Sequence, residues 1–291
     1  MIETGGAAPG PSAGSAGRSN SRLDNSEGHA YTVVNYKIAT LMKNIDLRPA
    51  LRDSALGIGT LALLLSVIFL AMRAYGTMGP PAARALMALM CLAMAALPWV
   101  LLSAHGRDQI GLRRPRDGAW SAAAIGVSFG VTMATLSFAL GYLLYGQASD
   151  NWFVSVANSY RSHPTAGFSL LQLHLTFTSA ALLFSPIGEE LFFRGFLQKV
   201  LEERLTPLVS TCVQSGLFAL VHLCHHGILA TAAGLMLLPL SAALWVLLMF
   251  GLSLGLSWLR RASDSLLPAV LGHAAFNAAM NGFIFACLWR N

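Results

Sequence analysis

The chain has 291 residues and a net charge of +6, and 55% of its residues are hydrophobic whereas only 11% are charged. Soluble domains carry roughly a quarter charged residues, so the composition excludes a soluble enzyme, a nucleic-acid-binding domain and a disulfide scaffold. No Asp, Glu, Lys or Arg occurs between Leu205 and Leu259. Apolar helices of about 20 residues span the hydrocarbon core of a bilayer. The chain is therefore predicted to be membrane-embedded, and its positive charge to serve orientation and contact with anionic lipid.

Residues 1–54 are predicted to form an N-terminal arm. The first 30 residues are rich in Gly, Ala, Pro and Ser and have too little apolar surface to offset chain entropy, so we expect them to be disordered. They contain no apolar segment of the kind that a signal peptide requires, and none is expected. Residues 31–53 mix apolar and basic positions, which fits an interfacial helix and an irregular linker equally well.

Residues 55–290 are predicted to form a transmembrane domain. Seven apolar segments have the length of a membrane span. Their approximate bounds are 55–72, 85–104, 119–145, 168–188 with an extension, 208–226, 230–258 and 266–288. The stretch 228–258 fits one long tilted helix or two shorter pieces, so eight spans are the alternative. The predicted fold class is an all-α, polytopic transmembrane helix bundle.

Basic residues favour alternate loops, beginning with the N-terminal arm. The connections after the second, fourth and sixth segments are the basic ones, whereas the first loop is expected to hold only Arg73 and Arg84, and the third only Arg161. Basic loops stay in the cytoplasm. This pattern predicts an integral multi-pass protein of the cell (inner) membrane with a cytoplasmic N-terminus. No internal repeat is apparent, which disfavours an inverted-repeat transporter.

The first polar cluster lies at the end of the fourth segment and contains Glu189, Glu190 and Arg194. Glu190 and Arg194 have the i, i+4 spacing of a helical ion pair. That pair would leave Glu189 on a neighbouring face without a local partner, as a candidate general base. Ionisable groups inside a membrane are functional candidates. The alternative is that both carboxylates mark the boundary between membrane and water.

The second cluster contains His222, Cys224, His225 and His226 at the end of the fifth segment. Three histidines and a cysteine within five positions resemble a metal cluster. The pattern is not HExxH, however, and packing histidines at the end of a span are the favoured interpretation. The four cysteines of the chain, none of them in a CxxC pair, are expected to be free thiols packed in helices.

The third cluster contains His273 and Asn277 on the last segment. The i, i+4 spacing places both side chains on one helix face, where both can donate hydrogen bonds to an oxyanion. Asn281 extends the same stripe by one turn. The alternative is an ordinary polar contact between helices.

These clusters are predicted to meet at one depth. Glu189 and His222 are 33 residues apart, and Thr206 and Pro207, near their midpoint, form a helix-start signal. A tight helical hairpin turning there would bring both side chains to the same height. His273 follows Pro268 on a segment that enters from the same side. We therefore expect a catalytic cavity near the cytoplasmic leaflet that opens toward the cytoplasmic side.

The motifs EExxxR (Glu189 to Arg194), FxxxH (Phe218 to His222) and HxxxN (His273 to Asn277) occur in this order. In this respect the chain resembles the type II CAAX prenyl endopeptidase-like intramembrane proteases, the CPBP or ABI family. The resemblance covers about residues 105–285, including the stretch Ile110-Gly-Leu-Arg-Arg-Pro115. It implies an intramembrane endopeptidase that hydrolyses a peptide bond in a membrane-associated protein or peptide.

The resemblance also implies roles for individual residues. Glu189 and His222 would activate the attacking water, and His273 and Asn277 would stabilise the tetrahedral oxyanion. Glu190 and Arg194 would support the helix geometry. A metal-free mechanism is favoured because an asparagine is a poor zinc ligand. The alternative is a zinc ion held by Glu189, His222 and His273.

Two further functions remain open from the sequence. One is a non-catalytic membrane scaffold or chaperone on the same fold. The other is a proton-coupled transporter that uses Glu189 and the histidines as a relay. The expected partners are the lipid bilayer and a membrane-associated protein or peptide substrate, with no nucleic acid.

Overall fold

The structure is a computed structural model that describes residues 44–52, 56–231 and 234–289. Most of the predicted N-terminal arm therefore lies outside the described residues, and its predicted disorder and interfacial helix stay predictions there. Within residues 44–52 the chain forms a 3₁₀ turn at Pro49–Leu51, and Leu47 makes an isolated bridge to Leu102. Residues from Ile45 onward belong to one compact unit, which is described below.

The described part of this unit is built from ten α-helices and a two-stranded hairpin. The helices are α1 Ile58–Met78, α2 Ala85–Leu101, α3 Ala104–Gln109, α4 Ala119–Tyr145, α5 Trp152–Arg161, α6 Leu170–Glu189, α7 Gln198–Glu202, α8 Pro207–Val221, α9 Pro239–Ser263 and α10 Leu267–Phe283. The strands are β1 Ile228–Thr231 and β2 Gly234–Leu237. Two π-helical segments, Glu190–Leu197 and Ile284–Leu288, continue α6 and α10. Short 3₁₀ turns precede α2 at Pro81–Arg84 and follow α8 at His222–Cys224.

Seven helices in the described residues are long and apolar enough to cross a membrane, as the sequence predicted. The fold is therefore an all-α polytopic bundle. The fourth of these helices runs without interruption from Leu170 to Glu202, through α6, the π-helical segment and α7. A capping box formed by Ser169 and Gln172 starts it. The predicted extension beyond residue 188 is thus part of the helix.

The prediction for the sixth span is wrong at its start. Strands Ile228–Thr231 and Gly234–Leu237 pair antiparallel, with Ile228 opposite Leu237, and the helix begins only at Pro239. Gly227 and Gly234 both have positive φ angles, 109° and 118°, which helices of L-residues do not adopt. A proline is favourable in the first turn of a helix, so α9 begins at Pro239.

The bundle has two ends. At one, termed the basic end, the segment 45–52, α3, the α7–α8 connection and the α9–α10 connection lie together. Ile45 N donates to Glu203 at 2.7 Å, Arg261 pairs with Glu202 at 2.7 Å, and Arg113 pairs with Asp264. The opposite end, termed the distal end, contains the α1–α2 connection, α5 and the hairpin.

Small residues allow the spans to approach closely around the site. A β-carbon at Gly130 of α4 would collide with the carbonyl oxygen of Gly272 on α10. A β-carbon at Gly188 of α6 would collide with the carbonyl oxygen of Cys91 on α2. Close backbone approach at small residues is typical of helix pairs in membranes. These contacts fix α6 and α10, which carry two of the three polar clusters.

Candidate active site

Glu189 is the last residue of α6 and is fully buried. Its Oε1 atom accepts a hydrogen bond from Nη1 of Arg73 at 2.6 Å and another from Oγ of Ser185 at 2.7 Å. Its Oε2 atom has no hydrogen-bond partner among the described residues. Nε2 of His222 lies 3.9 Å from that oxygen. The carboxylate is therefore held at one oxygen and directed with the other toward the histidine.

Arg73 is the functional candidate that the sequence prediction missed. We expected it in the first loop, which is wrong. Glu189, for which no local ion-pair partner was expected, pairs with this arginine from a distant part of the chain. Helix α1 continues to Met78, so Arg73 lies inside the span, 4% exposed, and its ion pair with Glu189 compensates the burial of both charges. The available signal was the Gly79–Pro80 pair, which is a better helix stop than a single charge.

His222 occupies the 3₁₀ turn that follows α8. Its Nδ1 atom lies 2.7 Å from the carbonyl oxygen of Phe218, which accepts only, so the proton is assigned to Nδ1. In the neutral ring Nε2 is then a free acceptor. The backbone oxygen of His222 accepts from the indole nitrogen of Trp245 at 3.0 Å. The ring orientation and the turn are both fixed by neighbouring spans.

Glu190, Arg194 and His273 form a second buried group. The predicted ion pair between Arg194 and Glu190 is present at 2.9 Å, with both side chains fully buried. The same carboxylate oxygen, Oε1, lies 2.8 Å from Nδ1 of His273. The Arg194 guanidinium also lies 4.0 Å from the centroid of the Phe218 ring, a cation–π contact. Glu190 thus connects the first motif to the third.

Asn277 lies one turn beyond His273 on α10. Its Nδ2 atom donates to the carbonyl oxygen of Ala181 on α6 at 3.0 Å. Asn281 has both its amide groups engaged, because Oδ1 accepts from the Tyr160 hydroxyl at 2.9 Å and Nδ2 donates to Thr178 at 3.2 Å. Asn281 therefore connects helices, whereas Asn277 borders the cavity described below.

The histidines after His222 have separate environments. Nε2 of His225 lies 2.6 Å from Nη2 of Arg73. His226 is fully buried between the hydroxyls of Ser155 and Ser241, at 2.7 and 3.1 Å, and burial lowers its pKa to about 4. Cys224 is a free thiol. Within residues 44–52, 56–231 and 234–289, no group of three His, Cys, Asp or Glu residues could hold a metal ion.

A cavity of about 340 Å³ borders these residues. His222, His273 and Asn277 lie at its inner part together with Arg73. Its outer lining comes from the distal end of the bundle. It comprises Arg84 and Met87 near the start of α2, Ser159 and Tyr160 of α5, Ala180 and Phe184 of α6, and Met280 of α10.

The direction of this cavity differs from our expectation. The opening was expected on the side of the basic loops, but the outer lining belongs to the opposite end. The physical reason is the aromatic packing next to the site: Phe192, Phe193 and Phe218 are buried and fill the space between the polar cluster and the basic end. Phe193 and Phe218 meet edge to face with centroids 5.4 Å apart.

A family model described as "Type II CAAX prenyl endopeptidase Rce1-like" matches residues 171–279. That region carries all three motifs, from Glu189 through His222 to Asn277. Residues 171–279 belong to this family. The comparisons with curated proteins and with solved structures found no match.

The matched region, residues 171–279, is shorter than the stretch of about residues 105–285 over which the sequence motifs indicate the resemblance. It takes in α6 to α10 but neither the Ile110–Pro115 stretch nor α1. Arg73 therefore contacts Glu189 from outside the matched region. With seven candidate spans and a region that matches the Rce1-like family model, the chain is an integral multi-pass membrane protein.

Proposed function

We propose that this Rce1-like protein is an intramembrane endopeptidase in which Glu189 and His222 activate water. The proposal rests on two hydrogen-bond acceptor atoms, one from each residue, that lie close together. Oε2 of Glu189 and Nε2 of His222 face each other at 3.9 Å, and the first has no protein partner among the described residues. A water molecule placed between them could donate to both. Such an arrangement suits a general base, which must reach the proton it removes.

The third motif supplies the oxyanion donors in this proposal. Attack of the water on the peptide carbonyl gives a tetrahedral intermediate with a negatively charged oxygen, which preorganised donors stabilise. Asn277 has a second amide hydrogen besides the one given to Ala181. Nδ1 of His273 is engaged with Glu190, so Nε2 donates when the ring is doubly protonated. The proton taken by Glu189 is then passed to the leaving amine.

We propose that the reaction is metal-free. A zinc site built from Glu189, His222 and His273 does not fit these side chains well, because the Arg73 guanidinium already pairs with the carboxylate at 2.6 Å. His273 is in addition directed by its bond to Glu190. The measurement is metal analysis of the purified protein combined with chelator treatment. Activity that is lost on chelation and restored by Zn²⁺ would contradict the metal-free mechanism.

The substrate proposed is a membrane-associated protein or peptide. The cavity lining is largely apolar, with Met87, Phe184 and Met280 among its outer residues, and its position within the spans suits a lipid-borne segment. We propose that the basic end faces the cytoplasm. The cavity would then be entered from the bilayer or from the opposite side.

The test uses purified protein in nanodiscs with internally quenched fluorescent peptides. One pool carries an S-farnesyl cysteine four residues from the carboxyl terminus, and a matched pool carries serine there. We expect cleavage by wild type and a loss of at least about 10²-fold in Glu189→Gln and His222→Ala, since each removes a group that activates water. If only the S-farnesyl-cysteine peptides are cleaved and the serine peptides are not, the substrates are prenylated.

A matched control separates chemistry from folding. Glu203→Gln removes a carboxylate at the basic end, where it accepts from the Ile45 amide, and should leave cleavage unchanged. Full activity of Glu189→Gln would overturn the proposed mechanism. A cellular function that persists in both Glu189→Gln and His222→Ala would favour a non-catalytic scaffold. Solute uptake that depends on a proton gradient, without proteolysis, would favour a transporter.

A further inference from the structure

Arg73 contacts two elements of the candidate site at once. Its Nη1 atom contacts Glu189 on α6 at 2.6 Å, and its Nη2 atom lies 2.6 Å from Nε2 of His225 beyond α8. His225 is three residues after His222. One planar guanidinium therefore fixes the distance between the helix that carries the carboxylate and the turn that carries the histidine.

The geometry points to Arg73 as a positioning residue for the proposed hydrolysis. It holds Oε1 of Glu189 so that Oε2 stays directed at His222, and His225 holds Arg73 in that place. This inference rests on the proposed function, and it adds a residue of α1 to a site otherwise confined to residues 171–279. Arg73 faces the inner cavity but needs no contact with the scissile bond.

The contacts of His225 support this assignment. An arginine has donors only, so the short contact between the two side chains requires His225 to accept at Nε2 and to be neutral. The pKa of His225 is well below its ordinary value because the partly buried ring is desolvated and the Arg73 charge is adjacent. His225 therefore provides Arg73 with a permanent hydrogen-bond acceptor. This gives a role to a histidine that belongs to none of the three motifs.

Alternative roles for a buried arginine predict different contacts. An arginine that only offset the free-energy cost of burying the Glu189 charge in the membrane would need one carboxylate and no second acceptor. The fork of Arg73 instead has separate partners on two elements. A lysine has one compact head group and cannot reproduce this fork. The identity of the side chain, and not only its charge, should therefore matter.

The experiment measures kcat and KM with the peptides cleaved by wild type. We expect Arg73→Gln to lower kcat by about 10²-fold, the cost of a misplacement of about 1 Å, with KM changed less than twofold. Arg73→Lys should recover part of kcat. His225→Gln, whose amide oxygen can accept, should keep more activity than His225→Leu. Guanidinium ion added to Arg73→Ala should restore activity through the cavity.

Arg260→Gln is the matched control, because Arg260 is also a buried arginine but donates to the backbone oxygen of Gln109 at the basic end, outside the cavity. We expect its kcat to stay within twofold of wild type. An equal loss in Arg260→Gln would overturn the inference, since the effect would then follow from the loss of any buried arginine. So would wild-type kcat in Arg73→Gln, or a loss that appears only in KM.

Two outcomes separate this inference from the proposed function. Inactive Glu189→Gln with fully active Arg73→Gln would overturn the positioning role and leave the mechanism intact. Fully active Glu189→Gln would overturn both. If Arg73→Gln does not fold, as judged by its elution and thermal unfolding, the two His225 variants decide: equal kcat in His225→Gln, His225→Leu and wild type would overturn the inference.

Discussion

His273 donates from Nδ1 to Oε1 of Glu190 at 2.8 Å, so a residue near the start of α10 is oriented by the π-helical continuation of α6. Two motifs 83 residues apart in the chain therefore share one oxygen atom. Arg194 donates to that same oxygen at 2.9 Å. The second carboxylate of the EExxxR motif is thus a structural centre, and its neighbour Glu189 is the one that reaches His222.

The first prediction concerns this centre. Glu190→Gln removes the negative charge and leaves Arg194 buried without a counter-ion, and breaking a buried pair costs about 3–5 kcal/mol. We expect a clear fall in the thermal unfolding midpoint in detergent. Glu202→Gln, which breaks the partly exposed pair with Arg261, should cost at most about 1 kcal/mol. Equal midpoints for the two variants would show that Glu190 is not a structural centre.

The second prediction tests the crossing of α2 and α6. Gly188→Ala places a β-carbon against the Cys91 carbonyl oxygen, so the backbones must separate next to Glu189. We expect lower stability and reduced cleavage. Gly216→Ala is the matched control, because a β-carbon there has nothing within 4 Å, and Ala stabilises a helix by roughly 0.5–1 kcal/mol relative to Gly. Wild-type stability in Gly188→Ala would mean that the crossing is not tight.

The third prediction is a pH dependence of stability through His226. Its folded-state pKa of about 4 lies below the ordinary value of 6.5, so the unfolded chain binds the proton first. The stability is fully present above pH 6.5 and is lost as the pH falls toward 4, at about 1.4 kcal/mol per pH unit. His226→Gln should flatten the curve of unfolding midpoint against pH. A curve for His226→Gln that matches wild type would contradict this prediction.

The fourth prediction concerns orientation. Single cysteines replace Arg116 at the basic end, which is 68% exposed, and the exposed Ala148 at the distal end, in a background without the four native cysteines. In intact spheroplasts an impermeant maleimide should label Ala148→Cys and spare Arg116→Cys. Permeabilised membranes, in which both should react, are the control. The reverse pattern would place the N-terminal side outside and the cavity opening toward the cytoplasm.

Much of the fold follows from local sequence alone. Uncharged segments of span length predict the seven helices because each must satisfy its backbone hydrogen bonds internally in lipid. The helix-start signal at Thr206 and Pro207 predicts the hairpin that brings Glu189 near His222. The exception is the apolar stretch after Gly227, in which residues 228–231 and 234–237 form two short strands. Hydrophobicity does not distinguish a helix from a pair of strands here. Gly227 and Gly234, which both have positive φ angles, favour the strands.

The sequence by itself determined the membrane class, the seven spans and the three motifs, because these depend on composition and on spacing along one helix. Only the tertiary structure decided that Glu190 holds His273 and that Arg73 of α1 contacts Glu189. It also decided that the cavity runs to the distal end. These features depend on contacts between residues far apart in the chain, for which local periodicity carries no information.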